Sequence, residues 1–230
     1  MKLIFRGIYK ADDQLPKSNL PHNAIKFNEP ESMEKITLIS SLFLIPAMLL
    51  IGIGVFASYL LHGTVTIDPA HMFDLSFTGI IIPLFIVVIP IIPHELLHAV
   101  ALGRSAEAEL FFAPKRLMVF IVSTTPITKR RFIVMSFLPN FVLGWLPFIA
   151  WIILPINVLY CVYLFWFSVL SILNGGGDYM NICNAIRQMP KGSVHLHSGM
   201  HSYWYIPETE TLSTDTIIED DLNKNVYGEY

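Results

Sequence analysis

Charge is scarce in this chain. Only 14% of its 230 residues are Asp, Glu, Lys or Arg, whereas 53% are hydrophobic. A soluble domain carries close to twice that charged share. Cysteine is almost absent: Cys161 and Cys183 stand alone, which excludes the disulfide framework of small secreted folds. Both lie in or beside apolar sequence and read as packed thiols. No cleavable leader is evident, because Lys2, Arg6, Lys10, Lys17, Lys26 and Lys35 all precede the first long apolar run. No internal repeat is visible, and nothing points to nucleic acid as a partner.

What is present is apolar sequence in long runs, at roughly 36–61, 77–102, 132–154 and 156–173. Each is about the length needed to cross a ~30 Å hydrocarbon layer, the last near the short limit. The runs predict a mainly α, polytopic membrane protein with four transmembrane helices, with the lipid bilayer as one partner. All 15 Lys and Arg fall in the N-terminal stretch, in 103–131 or after 173. The positive-inside rule then places both termini and the 103–131 connection in the cytoplasm of a multi-pass cell-membrane protein.

Three regions follow. Residues 1–31 read as a cytoplasmic N-terminal segment, with a short strand through Leu3, Phe5, Ile8 and Tyr9 and a Pro-punctuated approach. Ser32 is placed to cap the first membrane helix. Residues 32–190 form the membrane domain. Within it, 110–122 is rich in β-formers around Pro114-Lys115-Arg116 and predicts a small β-hairpin on the cytoplasmic face. Residues 191–230 are expected to be a cytoplasmic tail, acidic and disordered from about 208.

The second run contains His94-Glu95-Leu96-Leu97-His98. Residues four apart share a helix face, so both imidazoles can reach one Zn²⁺ while Glu95 lies beside it. Two histidines to hold the metal and a glutamate as general base is the HExxH arrangement. Pro93 directly before it, with Pro83 and Pro90, predicts a kink or restart that puts the motif on a fresh helix segment.

Catalytic zinc usually has three protein ligands. The candidate for the third is Asp178, which follows Asn174-Gly175-Gly176-Gly177 at the end of the fourth run. The competing role for Asp178 is a helix N-cap, and the competing ligands are Glu107 and Glu109. His62 and His71 are expected on the opposite membrane face. Depth favours Asp178: His94 lies 17 residues into the second run and Asn174 lies 18 residues into the fourth, or roughly 25 and 27 Å along ideal helices. Asn140 and Asn174 are polar groups at membrane depth that either line the cavity and hold substrate or tie helices together. His195, His197 and His201 are expected in a solvated loop, and Trp145, Trp151 and Trp166 as interface anchors or packing residues.

Through His94-Glu95-Leu96-Leu97-His98-Ala99, Asn174-Gly-Gly-Gly-Asp178, Leu20-Pro21-His22-Asn23-Ala24 and Phe27-Asn28-Glu29-Pro30, the chain resembles a bacterial membrane family of zincin peptidases formerly of unknown function. The resemblance runs from about 15 to 205. More distantly the layout is similar to site-2 intramembrane metalloproteases. That likeness implies His94, His98 and Asp178 as ligands of Zn²⁺ and Glu95 as catalytic base. The glycines before Asp178 depart from the Leu-Asp-Gly usual in site-2 enzymes. The expected function is zinc-dependent hydrolysis of a protein or peptide, membrane-associated, at the cytoplasmic side. The alternatives are a non-catalytic scaffold, transporter or immunity-type protein with a structural metal, or a zinc hydrolase of a non-peptide bond.

Overall fold

The computed structural model describes residues 2–63, 85–86, 88–114, 118–154 and 158–208. The first helical unit is α1 (Met33–Leu42) followed by α2 (Leu44–His62), with Phe43 between them. Ser32 caps it as expected, its side chain accepting from the Lys35 N–H at 3.4 Å. The outward side chains of α2 are bare, with Leu49 66%, Phe56 61% and Leu60 67% exposed. At roughly 25 cal/mol per Å² of apolar surface, so naked a helix belongs in lipid rather than water.

Among the described residues two helical stretches are long and apolar enough to cross a membrane, Glu34–His62 with 29 residues and Lys129–Ile153 with 25. Of the four full spans expected from hydropathy, the described residues contain two, with two shorter apolar helices. The first shorter one is α3 (Ile91–Leu102), only 12 residues, begun afresh after Pro90. The earlier part of that expected span lies outside the described residues. The second is in α6 (Val158–Asn174), 17 residues, which stops where the chain turns at Gly175. At 1.5 Å per residue it reaches only about 25 Å. His71 and the acidic tail beyond 208 also lie outside the described residues.

The long stretch Lys129–Ile153 is not uniform. It comprises α4 (Lys129–Pro139), a π-helical segment (Asn140–Trp145) and α5 (Leu146–Ile153). α2, α5 and α6 enclose one core around Ala47, Phe148, Trp151, Phe165 and Ile172. Trp151 is buried there and Trp145 donates its Nε1–H to Tyr179 Oη at 3.1 Å, so both serve packing. Cys161 is buried and Cys183 half-buried.

The expected hairpin is present as β3 (Glu107–Ala113) and β4 (Met118–Val122), antiparallel. The expected N-terminal strand, β1 (Lys2–Ile8), adds parallel to β3, giving a three-stranded sheet with β4 at its edge. A second sheet was not anticipated. It has the order β2 (Ile25–Lys26), β7 (His201–Tyr205), β6 (Val194–Ser198), β5 (Ile127–Thr128). The histidines expected in a solvated loop are thus on a hairpin, and His195 is only 5% exposed. Its imidazole stacks on Phe132 with centroids 3.8 Å apart and planes 8° from parallel. Burial against this ring, with Phe27 on another side, draws the strand onto the helices. α7 (Gly176–Gln188) completes the fold, and Ala99, Leu102, Phe132, Ala185 and Met189 join α3, α4 and α7 in a second core.

Candidate metal centre

The α3 helix starts close enough to the motif that His94 N–H bonds the Pro90 carbonyl at 2.9 Å. His94 and His98, one turn apart, stand with ring centroids 4.9 Å apart. Ligating atoms of His94, Glu95 and His98 lie within 4.8 Å of one another, a cluster able to hold a metal ion. His98 Nδ1 lies 2.9 Å from the Met135 carbonyl on α4. Donation from Nδ1 to a carbonyl fixes the tautomer and leaves the Nε2 lone pair for a cation.

Asp178 meets these histidines from α7. His94 Nε2 is 3.1 Å from its Oδ2 and His98 Nε2 is 3.3 Å from its Oδ1. Two donors on a tetrahedral zinc, each bonded at about 2.0–2.1 Å, stand about 3.3 Å apart. The donor set of two imidazoles and a carboxylate, at these separations, fits zinc. Asp178 is not an N-cap: that position is Gly175, and no side chain caps the helix. As a first-turn residue its charge is nevertheless favoured by the helix N-terminus. The Asn174–Gly177 run lets α6 give way to α7 with almost no connection, which is how Asp178 arrives beside the motif.

The rival ligands are occupied elsewhere. Glu107 pairs with Lys2 at 3.0 Å and Glu109 with Arg6 at 2.6 Å, both on the β1–β3 ladder. His62 Nε2 contacts the Ile152 carbonyl at 3.0 Å, at the far end of α2.

A cavity of about 580 Å³ opens on the cluster. His94, Glu95, His98, Asn174 and Asp178 line one side, and β4 from Met118 to Val122 lines another. Glu95 Oε2 accepts the Ile121 N–H of β4 at 3.0 Å. Asn174 therefore reaches the cavity. Asn140 does not line it; it is wholly buried and donates its Nδ2–H to Asp178 Oδ2 at 2.7 Å.

The remaining wall comes from residues whose role the sequence left open. Glu29, His195, His197 and Ser202 face the same cavity. Glu29 accepts the Ser202 N–H at 2.8 Å and lies 3.5 Å from His201 Nδ1. Burial raises the Glu29 carboxyl above its ordinary value, partly offset by that N–H. Burial, reinforced by neighbouring His201, lowers His197 to about 4. Burial and His197 likewise hold His195 well below the usual imidazole range. Both imidazoles are therefore neutral near pH 7. The Phe27-Asn28-Glu29-Pro30 stretch was the one available sign that the N-terminal segment reaches the site.

An HExxH helix crossed by a carboxylate from a second helix, within apolar helices, defines a zincin-like metallopeptidase domain in a membrane-associated setting. Residues 84–194 match the family described as "Putative zincin peptidase". The match is narrower than the 15–205 expected and leaves out the 20–30 stretch. No curated protein and no solved structure matches the chain.

Proposed function

We propose that this chain is a zinc-dependent membrane peptidase that hydrolyses extended peptide segments at the cytoplasmic side of the bilayer. The observation that carries this reading is the meeting of Asp178 with His94 and His98, from two helices far apart in sequence, where His94, Glu95 and His98 form a cluster able to hold a metal ion. A zinc ion held by those three side chains supplies Lewis acidity toward a carbonyl oxygen and lowers the pKa of water. Glu95 takes the proton of the attacking water and delivers it to the amine nitrogen as the C–N bond breaks. Met135, through His98 Nδ1, keeps that imidazole turned toward the site.

Peptide bonds inside a helix are closed to attack, so the substrate must be extended. β4 supports this requirement. It is the edge of its sheet, and its Ile121 N–H points to Glu95 instead of to β3. A peptide adding alongside β4 would run past Glu95 and the histidines. The bare apolar surface of α2 and the placement of Lys and Arg support the membrane setting, with both termini in the cytoplasm.

The test uses the full chain in detergent or nanodiscs, loaded with zinc, against membrane-peptide and lipid substrates in parallel. Glu95→Gln is expected to keep zinc and lose peptide hydrolysis by about 10²-fold or more. Equal turnover by that variant and wild type would overturn the assignment of Glu95. Cleavage confined to lipid would move the reaction to a non-peptide bond. Wild-type biological activity in Glu95→Gln would favour a scaffold.

A further inference from the structure

Asn140 occupies the first position of the π-helical segment, fully buried. Its Nδ2 lies 2.7 Å from Asp178 Oδ2 and 3.5 Å from the Ser136 carbonyl. Chemistry fixes this orientation. Turned over, the amide would aim its carbonyl oxygen at a carboxylate and at a backbone carbonyl. The orientation has a cost, because Asn140 Oδ1 is left buried with no hydrogen-bond partner among the described residues. Buried polar atoms are rarely abandoned in this way, and each one calls for a reason.

The surroundings are shaped to the same contact. Gly175 lies directly against the Asn140 amide, and a Cβ there would overlap its Oδ1, Cγ and Nδ2 atoms. Only glycine lets the start of α7 approach closely enough. Short π-helical segments within α-helices recur at functional sites. Here the segment begins at the residue that touches Asp178, where α4 ends at Pro139.

We infer that Asn140 is the positioning residue for Asp178: its amide N–H holds Oδ2, setting the rotation of the carboxylate against His94 and His98, with Gly175 keeping the space clear. This inference rests on the reading of Asp178 as a zinc ligand. A purely structural tie between α4 and α7 would stabilise the protein without altering how it holds a metal. Outer partners of metal ligands typically change affinity by about 10–100-fold when removed.

The experiment is chelator competition for zinc, with the visible spectrum of the cobalt-substituted protein, on the full chain in detergent. Asn140→Leu and Gly175→Ala attack the contact from opposite sides, one removing the amide and the other displacing it. Both are expected to weaken zinc binding by about 10–100-fold and to shift the cobalt bands. If zinc affinity and cobalt spectrum stay at wild type while only thermal stability falls, the inference is overturned. Should Asn140→Leu fail to fold, Gly175→Ala carries the test, and unchanged affinity there overturns it. Asp178→Ala separates the two levels. Full zinc retention in that variant removes the ligand reading itself, whereas zinc loss there with unaffected Asn140→Leu and Gly175→Ala removes only the inference about Asn140.

Discussion

His94 and Asp178 are 84 residues apart in the chain, yet His94 Nε2 stands 3.1 Å from Asp178 Oδ2. Each is buried among apolar helices, where an ionisable group is costly unless paired or functional. Their meeting joins the start of α3 to the start of α7. In this structure the helices that bear the donors begin beside the centre, so His94 and Asp178 project from first turns and His98 follows one turn on.

Metal content follows from that meeting. His94→Ala and His98→Ala are each expected to abolish stoichiometric zinc binding, and Asp178→Ala to reduce affinity by about 100-fold or more. Catalytic zinc sites need three protein ligands to hold the ion firmly. Inductively coupled plasma analysis of the dialysed proteins checks this. Full zinc in Asp178→Ala would assign the third donor elsewhere.

Ile121→Pro tests the edge of β4. Proline deletes the N–H that Glu95 accepts, and at an edge position whose N–H faces away from β3 it leaves the ladder intact. Zinc content should stay at wild type while peptide hydrolysis falls by about 10-fold or more. Unaltered hydrolysis would show that neither Glu95 nor the substrate depends on this strand.

Acidification should loosen the histidine wall. The imidazoles of His195 and His197 are held neutral by burial, below the ordinary value, with His197 at about 4. The unfolded chain, with histidine near 6.5, then binds more protons than the folded one. Stability from these residues is complete above about pH 6.5 and is lost as pH falls toward about 4, by roughly 1–3 kcal/mol. Hydrogen exchange of β6 and β7 should accelerate across that window. His195→Phe, which keeps the stack on Phe132 without a titrating group, should reduce the dependence to the share of His197.

Packing of the membrane helices turns on Gly54. A Cβ there would lie 2.5 Å from the Phe148 ring, whereas one at Gly52 would meet nothing within 4 Å. Gly54→Val should therefore destabilise α2 against α5 by about 1–3 kcal/mol. Gly52→Ala should be neutral or stabilising by up to about 1 kcal/mol. Thermal unfolding in one detergent compares the pair.

The motif was legible because five residues suffice to place two imidazoles on one helical face. Asp178 was legible as a carboxylate just past the end of an apolar run, and the structure brings it within 3.1 Å of His94. The lengths of the shorter helices were not, because hydropathy counts apolar residues whether or not the helix continues. It could not register that α3 restarts after Pro90 or that α6 stops at Asn174. The second sheet was hidden for a different reason. β2 and β5 are two residues each, and their partners lie far along the chain. Asn140 was noticed as polar within an apolar run, but its partner is 38 residues away. No spacing rule connects them.

The two sheets also constrain how the chain threads a bilayer. β1 pairs with β3, while β2 and β5 share a sheet with the β6–β7 hairpin. Strands joined by backbone hydrogen bonds must emerge on one face of the membrane. The polypeptide from β1 to β3 therefore has to return to the side it left, and so does the stretch from β5 to β6. If Glu34–His62 traverses the lipid, an odd number of further passages must follow before Glu107. By the same parity, passage through Lys129–Ile153 obliges a return before Val194. Hydrogen bonds between short strands thus dictate evenness to the helices, independent of how long any single helix is.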